Sequence, residues 1–205
     1  MGTSNFTLAG RLWPTSPLSL NWTRAILLAV IGSAIVALAA QVSVPLYPVP
    51  MTLQTLAVLA VGAAYGARLG AVTLALYALE GAAGLPVFAN FQGGLFLLTG
   101  EITPRGGYII GFIAAAGLVG YLVEKGWGAS ILKLCAAMLL GAAIVHIPGL
   151  IWLTGWYGVM KGMDFTSAIT VALTTGLLPF IIGDIIKAVL AALAFPAAFS
   201  LLGRR

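Results

Sequence analysis

Long, mostly apolar runs with few charged residues dominate this sequence. The first run covers residues 25–40, directly after Arg24, and similar runs recur to the end of the chain. A helix that crosses a bilayer needs about 20 consecutive, mostly apolar residues. Of the 205 residues, 61% are hydrophobic and 7% are charged, which excludes an ordinary soluble domain and a disordered chain. We therefore expect an all-α integral membrane protein.

Six such runs predict a single bundle of six transmembrane helices. They cover residues 25–40, 51–65, 69–85, 107–123, 131–153 and 177–202. Residues 1–23 mix Thr, Ser, Asn and Pro and predict a polar or interfacial leader, followed by one membrane domain over residues 24–205. A cleavable signal peptide is the alternative for the first run, because residues 37–39 resemble a cleavage site. The five later runs favour a membrane helix.

The basic residues predict the orientation of the bundle. With the N-terminus in the cytoplasm, six spans place seven basic residues on the inner side and two on the outer side. The inner residues are Arg11, Arg24, Arg68, Lys125, Lys133, Arg204 and Arg205, and the outer ones are Arg105 and Lys161. Both chain ends are therefore expected in the cytoplasm, and the polar loop over residues 86–106 outside it.

Asp184 and Lys187 lie inside the sixth run, where ionisable side chains are costly. Their spacing of three residues puts both on one face of a helix, in the outer half of the bilayer. They form either a self-neutralising pair that stabilises the bundle or a polar clamp that lines a ligand cavity. We favour the clamp, because an apolar pair would pack better if stability were the only need.

Other polar residues near the outer end are weaker candidates for the same cavity. Glu80 is a second carboxylate within a predicted span, Gln54 begins the second span, and Asn90 and Arg105 lie in the outer loop. His146 is expected to donate to a backbone carbonyl that Pro148 leaves free.

Small residues recur every four positions along the first helix. The stripe consists of Ala25, Ala29, Ser33 and Ala37. Small residues let helix backbones approach closely in lipid. The stripe therefore predicts either packing inside the bundle or a docking face for another membrane subunit.

Several classes of function are excluded or disfavoured. The sequence has no phosphate-binding loop and no nucleophile elbow, so we expect no enzyme and no ATP site. One histidine and one cysteine leave no ligand set for a metal, and no cofactor is indicated. The net charge of +5 comes from scattered residues, which does not favour nucleic-acid binding.

Four segments are distinctive in their order and spacing: VPMTLQTL at 49–56, GLPVFAN at 84–90, GGY at 106–108 and GDIIKA at 183–188. Together they resemble the BioY family, the biotin-binding S components of energy-coupling factor (ECF) transporters. The segment before the fourth helix reads GEITPRGG at 100–107, where the family usually has GPTGG. The resemblance extends from the first helix to the end of the sixth.

The resemblance implies a six-helix subunit that takes up biotin together with a membrane coupling subunit and two cytoplasmic ATPases. It implies that Asn90, Asp184 and Lys187 bind the ligand, with Arg105 as a further candidate. The ureido ring of biotin would then donate its N–H groups to Asp184 and accept from Lys187. Phe88, Trp152 or Tyr47 would cover its apolar faces. The alternative is a proton-coupled transporter or channel in which Asp184 and Lys187 form a relay.

Overall fold

A computed structural model describes Thr7, residues 18–94 and residues 103–202, with the side chains of residues 22–94 and 103–193. Over these ranges the chain forms α1 (Leu18–Gln41), β1 (Ser43–Val44), β2 (Met51–Thr52), α2 (Gln54–Tyr65), α3 (Ala67–Ala82), α4 (Gly106–Glu124), α5 (Ile131–Lys161), α6 (Phe165–Gly176) and α7 (Leu178–Leu202). Two short 3-10 helices cover Ala89–Phe91 and Trp127–Ala129.

The helices form the predicted bundle, with α4 packed against α2, α3 and α5. Glycines allow the closest approaches. A methyl group built on Gly62 of α2 would lie 2.6 Å from the carbonyl oxygen of Ala116 in α4. The outward faces carry exposed aliphatic side chains, which suits contact with lipid. Examples are Ile26, Leu38, Val72, Ile147, Ile151 and Ile182.

Four segments of the described chain are long and apolar enough to cross a membrane. They are residues 22–41, 106–124, 131–161 and 165–193. Helices α2 and α3 are shorter, with 12 and 16 residues. With α6 and α7 counted as one span, these helices make the six that the apolar runs predict.

Two helix boundaries differ from those of the predicted runs. Helix α1 begins at Leu18 and so overlaps the predicted leader, of which residues 1–6 and 8–17 lie outside the described ranges. The predicted loop after the fifth span contains the whole of α6, and α5 continues to Lys161. Asp164 begins α6 as its N-cap, because its carboxylate accepts a hydrogen bond from the Ser167 backbone N–H at 3.0 Å.

A two-stranded hairpin joins α1 to α2. Ser43 pairs with Thr52 and Val44 with Met51 in an antiparallel register, with the prolines of residues 45–50 in the turn between them. Gln41, at the end of α1, then ties the hairpin end of the bundle to the loop after α3. Its side-chain amide donates to the carbonyl of Phe88 at 3.1 Å and accepts from the N–H of Phe91 at 3.0 Å.

Candidate functional site

The predicted ion pair forms within α7 and is buried. Lys187 Nζ lies 3.2 Å from Asp184 Oδ1, and the two residues are 7% and 5% exposed. One turn of helix brings the ammonium group back over the carboxylate, as the spacing of three residues predicts. Because the two charges cancel, the pair adds no net charge to the interior of the bundle.

Helices α2 and α5 each add one polar side chain to this pair. Thr55 Oγ1 of α2 accepts a hydrogen bond from Lys187 Nζ at 2.8 Å and lies 3.4 Å from Asp184 Oδ1. His146 Nε2 of α5 lies 2.9 Å from Asp184 Oδ2. Both carboxylate oxygens of Asp184 therefore have a donor from the protein. We refer to Thr55, His146, Asp184 and Lys187 as the polar cluster.

A cavity of about 550 Å³, including the space at its mouth, opens above the polar cluster. It lies between α2, α4, α5 and α7, beneath the turn of the hairpin and the loop after α3. The lining is mostly apolar, with a few polar groups, as in binding sites for small molecules. The lining residues are Val49, Pro50, Thr52, Gln54, Thr55, Phe88, Ala89, Arg105, Tyr108, Ile109, Phe112, Val145, His146, Phe180 and Lys187.

Asp184 is not part of this lining. Its carboxylate lies behind the side chains of Thr55, His146 and Lys187, which line the cavity and contact it directly. The charge of Asp184 therefore acts first on these three side chains. It holds the ammonium group of Lys187 at the cavity surface.

Gln54 and Phe88 belong to one wall of the cavity, which Tyr77 supports. Gln54 Nε2 donates to Tyr77 Oη at 2.6 Å, and Tyr77 Oη donates to the carbonyl of Val87 at 3.0 Å. The rings of Tyr77 and Phe88 meet edge to face at 5.5 Å. The side-chain oxygen of Gln54 accepts from Thr52 Oγ1 at 3.5 Å and has a second lone pair for a further hydrogen bond.

Arg105 lines the cavity from the residue before α4. Its guanidinium donates to the side-chain oxygen of Gln92, an exposed residue of the loop after α3. The cavity therefore has a lysine among the buried polar groups and an arginine near the exposed loop. Such a separation suits a ligand with a neutral polar end and an anionic end.

Three predicted site residues lie elsewhere. Asn90 is exposed, and its side-chain oxygen accepts from Ser43 Oγ at 3.4 Å. Trp152 Nε1 donates to the carbonyl of Thr103 at 2.6 Å, and Glu80 accepts from Ser33 Oγ at 3.1 Å. Each side chain thus bonds to another part of the bundle. None of the three residues lines the cavity.

Two of the four residues of the stripe on α1 pack inside the bundle. Ala29 and Ser33 are 5% and 2% exposed, and Ser33 bonds to Glu80 of α3. Ala25 and Ala37 are half-buried. The structure therefore supports the packing interpretation of the stripe, because the small side chains let α1 lie close to α3.

His146 and Thr55 are site residues that the sequence did not identify as partners of Asp184. The imidazole was expected to bond to a carbonyl near Pro148, but its Nε2 faces Asp184 of another helix. Thr55 lies next to Gln54 in segment 49–56, which resembles the BioY family. Its place in that segment was the available indication that it belongs to the site. Their contacts with Asp184 depend on how α2 and α5 pack on α7.

The sequence matches the family model described as the BioY family over residues 10–204. The biotin transporter BioY of Thermotoga maritima is 38% identical over 170 residues, which cover 83% of this chain and 92% of that protein. The biotin transporter BioY of Rhizobium etli is 34% identical over 177 residues, which cover 82% of this chain and 88% of the relative.

The fold is also that of a solved structure. The crystal structure at 2.1 Å of the S-component for biotin from an ECF-type ABC transporter superposes with a TM-score of 0.69 at 22% identity. The superposition covers 90% of this chain and 95% of that chain. At this low identity the superposition shows the fold alone. The family match and the sequence relatives show the family. This chain belongs to the BioY family.

Proposed function

We propose that this protein captures biotin from the outer side of the bacterial cytoplasmic membrane and is the substrate-binding subunit of an ECF-type transporter. The observation that carries the proposal is the charge-neutral polar cluster at the base of a mostly apolar cavity, in a member of the BioY family. Biotin combines a neutral ureido ring, a sulfur-containing ring and a carboxylated chain. The polar ureido ring suits the polar cluster, and the apolar parts of the ligand suit the apolar side chains of the cavity.

The polar ring of biotin is assigned to the deep end of the cavity. An ammonium group has three N–H donors, and within the described chain Lys187 uses them on Asp184 and Thr55 only. One donor is left for the ureido carbonyl. Gln54 and the polar cluster supply acceptors for the ring N–H groups. Asp184 orders the cluster, and Phe88 covers one face of the ligand.

The carboxylate of biotin is assigned to Arg105. A carboxylate next to Asp184 would be repelled, and burying it without a full partner is costly in a membrane domain. Arg105 is half-buried beside an exposed loop, where water lowers the cost of an imperfect ion pair. The ligand would therefore enter with its ring first.

Uptake against a concentration gradient needs a source of energy, and the sequence has no ATP-binding motif of its own. We propose a transmembrane coupling subunit and two cytoplasmic ATPases, as expected for an ECF-type assembly. The support is the structural neighbour, which is described as a component of an ECF-type ABC transporter.

A proton relay is the competing function for the same residues. Within the described chain the contacts run from Lys187 through Asp184 to His146, where Nδ1 has no hydrogen-bond partner. A relay needs a continuous path across the bundle, and these contacts form a closed cluster at one cavity. The geometry thus favours binding over proton transfer.

Equilibrium binding tests the proposed function directly. Purified protein should bind labelled biotin, and unlabelled biotin should displace it. Lipoate, which has a sulfur-containing ring and a carboxylated chain but no ureido group, should not displace it. Proton flux into liposomes that contain only this protein, with no biotin binding, would support the relay.

A further inference from the structure

His146 is the one histidine of the chain, and its surroundings restrict what it can do. Its side chain is 9% exposed, and the ring lies in the cavity wall. The rings of Tyr108 and Phe180 both meet it edge to face at 5.9 Å. These contacts fix the plane of the imidazole, so that Nε2 faces Asp184.

The partners of the two ring nitrogens indicate the tautomer. Nε2 lies 2.9 Å from a carboxylate oxygen, and an ionised carboxylate only accepts hydrogen bonds. Nδ1 is buried and has no partner within the described chain. A proton on Nδ1 would therefore be an unpaired buried donor, whereas a proton on Nε2 is paired. A second proton would also add a net charge to the neutral Asp184–Lys187 pair.

We propose that His146 is a positioning residue for biotin recognition: its neutral imidazole donates from Nε2 to Asp184 and fixes the carboxylate that orders Lys187 and Thr55. The proposal rests on the proposed function, since it assigns a role to a residue of that site. Without this donor, Asp184 Oδ2 is left without its protein partner. The carboxylate can then turn about its side-chain bond and carry the Lys187 ammonium away from the cavity surface.

Two substitutions of His146 distinguish a positioning role from a role that only fills space. His146→Gln keeps a side-chain N–H that can reach Asp184 but has no ring. His146→Phe keeps a ring between Tyr108 and Phe180 but has no donor. If His146 positions Asp184, the Phe variant should bind biotin about 10- to 100-fold more weakly than wild type, and the Gln variant within about fivefold of it. If His146 only fills space, the Phe variant should bind at least as well as the Gln variant, which would overturn the proposal.

A spectroscopic measurement on the unaltered chain tests the same idea without any variant. Because the chain has one histidine, protein labelled with ¹⁵N-histidine and carrying no histidine tag gives the signals of a single imidazole. At neutral pH, with and without biotin, we expect a protonated Nε2 and an unprotonated Nδ1. A proton on Nδ1 in either state would overturn the proposal.

The two hypotheses fail in different ways. If the wild-type protein binds no biotin, both the proposed function and the role of His146 are wrong. If it binds biotin but the Phe variant binds equally well, or Nδ1 carries the proton, only the role of His146 is wrong.

Discussion

Asp184 is the residue on which the polar cluster depends. Each of its carboxylate oxygens faces a donor, with Lys187 Nζ and Thr55 on one side and His146 Nε2 on the other. An asparagine would put an oxygen at one of these two positions and an NH₂ group at the other. Its NH₂ group would then face another N–H or O–H donor. It would also leave the buried charge of Lys187 without a counterion.

We therefore expect Asp184→Asn to remove measurable biotin binding. Loss of one partner of a buried ion pair costs about 3–5 kcal/mol of stability. The Lys187 ammonium would also no longer be held at the cavity surface, so we expect the affinity for biotin to fall by more than about 100-fold. Asp164→Asn is the matched control, because Asp164 is exposed at the start of α6 and asparagine is also a good N-cap. Equilibrium binding of labelled biotin measures both. Normal binding by Asp184→Asn would contradict the assigned role of the cluster.

Arg105 should contribute less to binding. A half-exposed ion pair is worth about 1 kcal/mol, so we expect Arg105→Ala to weaken biotin binding about fivefold. Biotin amide, which lacks the carboxylate, should bind wild type and Arg105→Ala with similar affinity. Arg68→Ala serves as the control, since Arg68 is exposed in α3 and away from the cavity. If Arg105→Ala abolished binding while Asp184→Asn kept it, the carboxylate would be the deeply anchored end.

For individual side chains, the sequence predicted contacts within one helix but not contacts between helices. The spacing of Asp184 and Lys187 predicted their contact, because it depends only on the geometry of α7. His146 and Thr55 are 38 and 129 positions away from Asp184. Their contacts depend on the rotation of α5 and α2 about their own axes, which a single sequence does not determine. For the same reason Asn90 and Trp152 were assigned to a cavity that neither lines.

Among the helices, α6 was missed because its sequence contains poor helix formers. Threonine recurs at 166, 170, 174 and 175, and its branched side chain disfavours helix. In the structure the hydroxyls of Thr170, Thr174 and Thr175 bond to carbonyls of the preceding turn, at 2.8, 3.0 and 2.7 Å. These contacts satisfy the polar groups within the helix. Asp164, a residue type favoured at helix N-caps, was the available signal for its start.

Close packing of α4 on its neighbours gives a prediction for the stability of the bundle. A methyl group on Gly120 would overlap the backbone at Gly66 and Ala67, whereas one on Gly117 would lie 3.7 Å from the nearest side chain, Ala71. Gly120→Ala should therefore destabilise the protein by about 1–3 kcal/mol, because backbone cannot move aside easily. Gly117→Ala, in the same helix, should be neutral or slightly stabilising. Thermal unfolding in detergent measures the difference, and equal midpoints would contradict the packing of α4.

For the whole molecule, the sequence predicted a helical membrane bundle because apolar length and charge placement decide that class directly. It did not predict where α5 ends, since residues 154–161 are apolar enough to continue the helix beyond the length that a bilayer requires. It predicted a ligand cavity beside Asp184 and Lys187, but not most of the residues that line it. That space depends on the hairpin, the loop after α3 and four helices, which lie far apart along the chain.

The orientation of the bundle gives the last prediction, and Cys135 makes it practical as the one cysteine of the chain. Helices α4 and α5 follow one another across the bundle, so that Gln92 and Lys161 lie toward one end and Lys125, between these helices, toward the other. The distribution of basic residues predicts that the end with Lys125 lies in the cytoplasm. All three residues are exposed. Lys125 is a better labelling position than its neighbour Gly126, whose φ of 89° disfavours any side chain.

In a variant with Cys135 replaced by serine, single cysteines at Gln92 and Lys161 should react with a membrane-impermeant thiol reagent added to intact cells. A cysteine at Lys125 should react only after the membrane is opened, because the bilayer separates it from the reagent. Biotin binding by each variant shows that the bundle is intact. The reverse labelling pattern would place the mouth of the cavity on the cytoplasmic side, and the protein could then not capture its ligand from outside the cell.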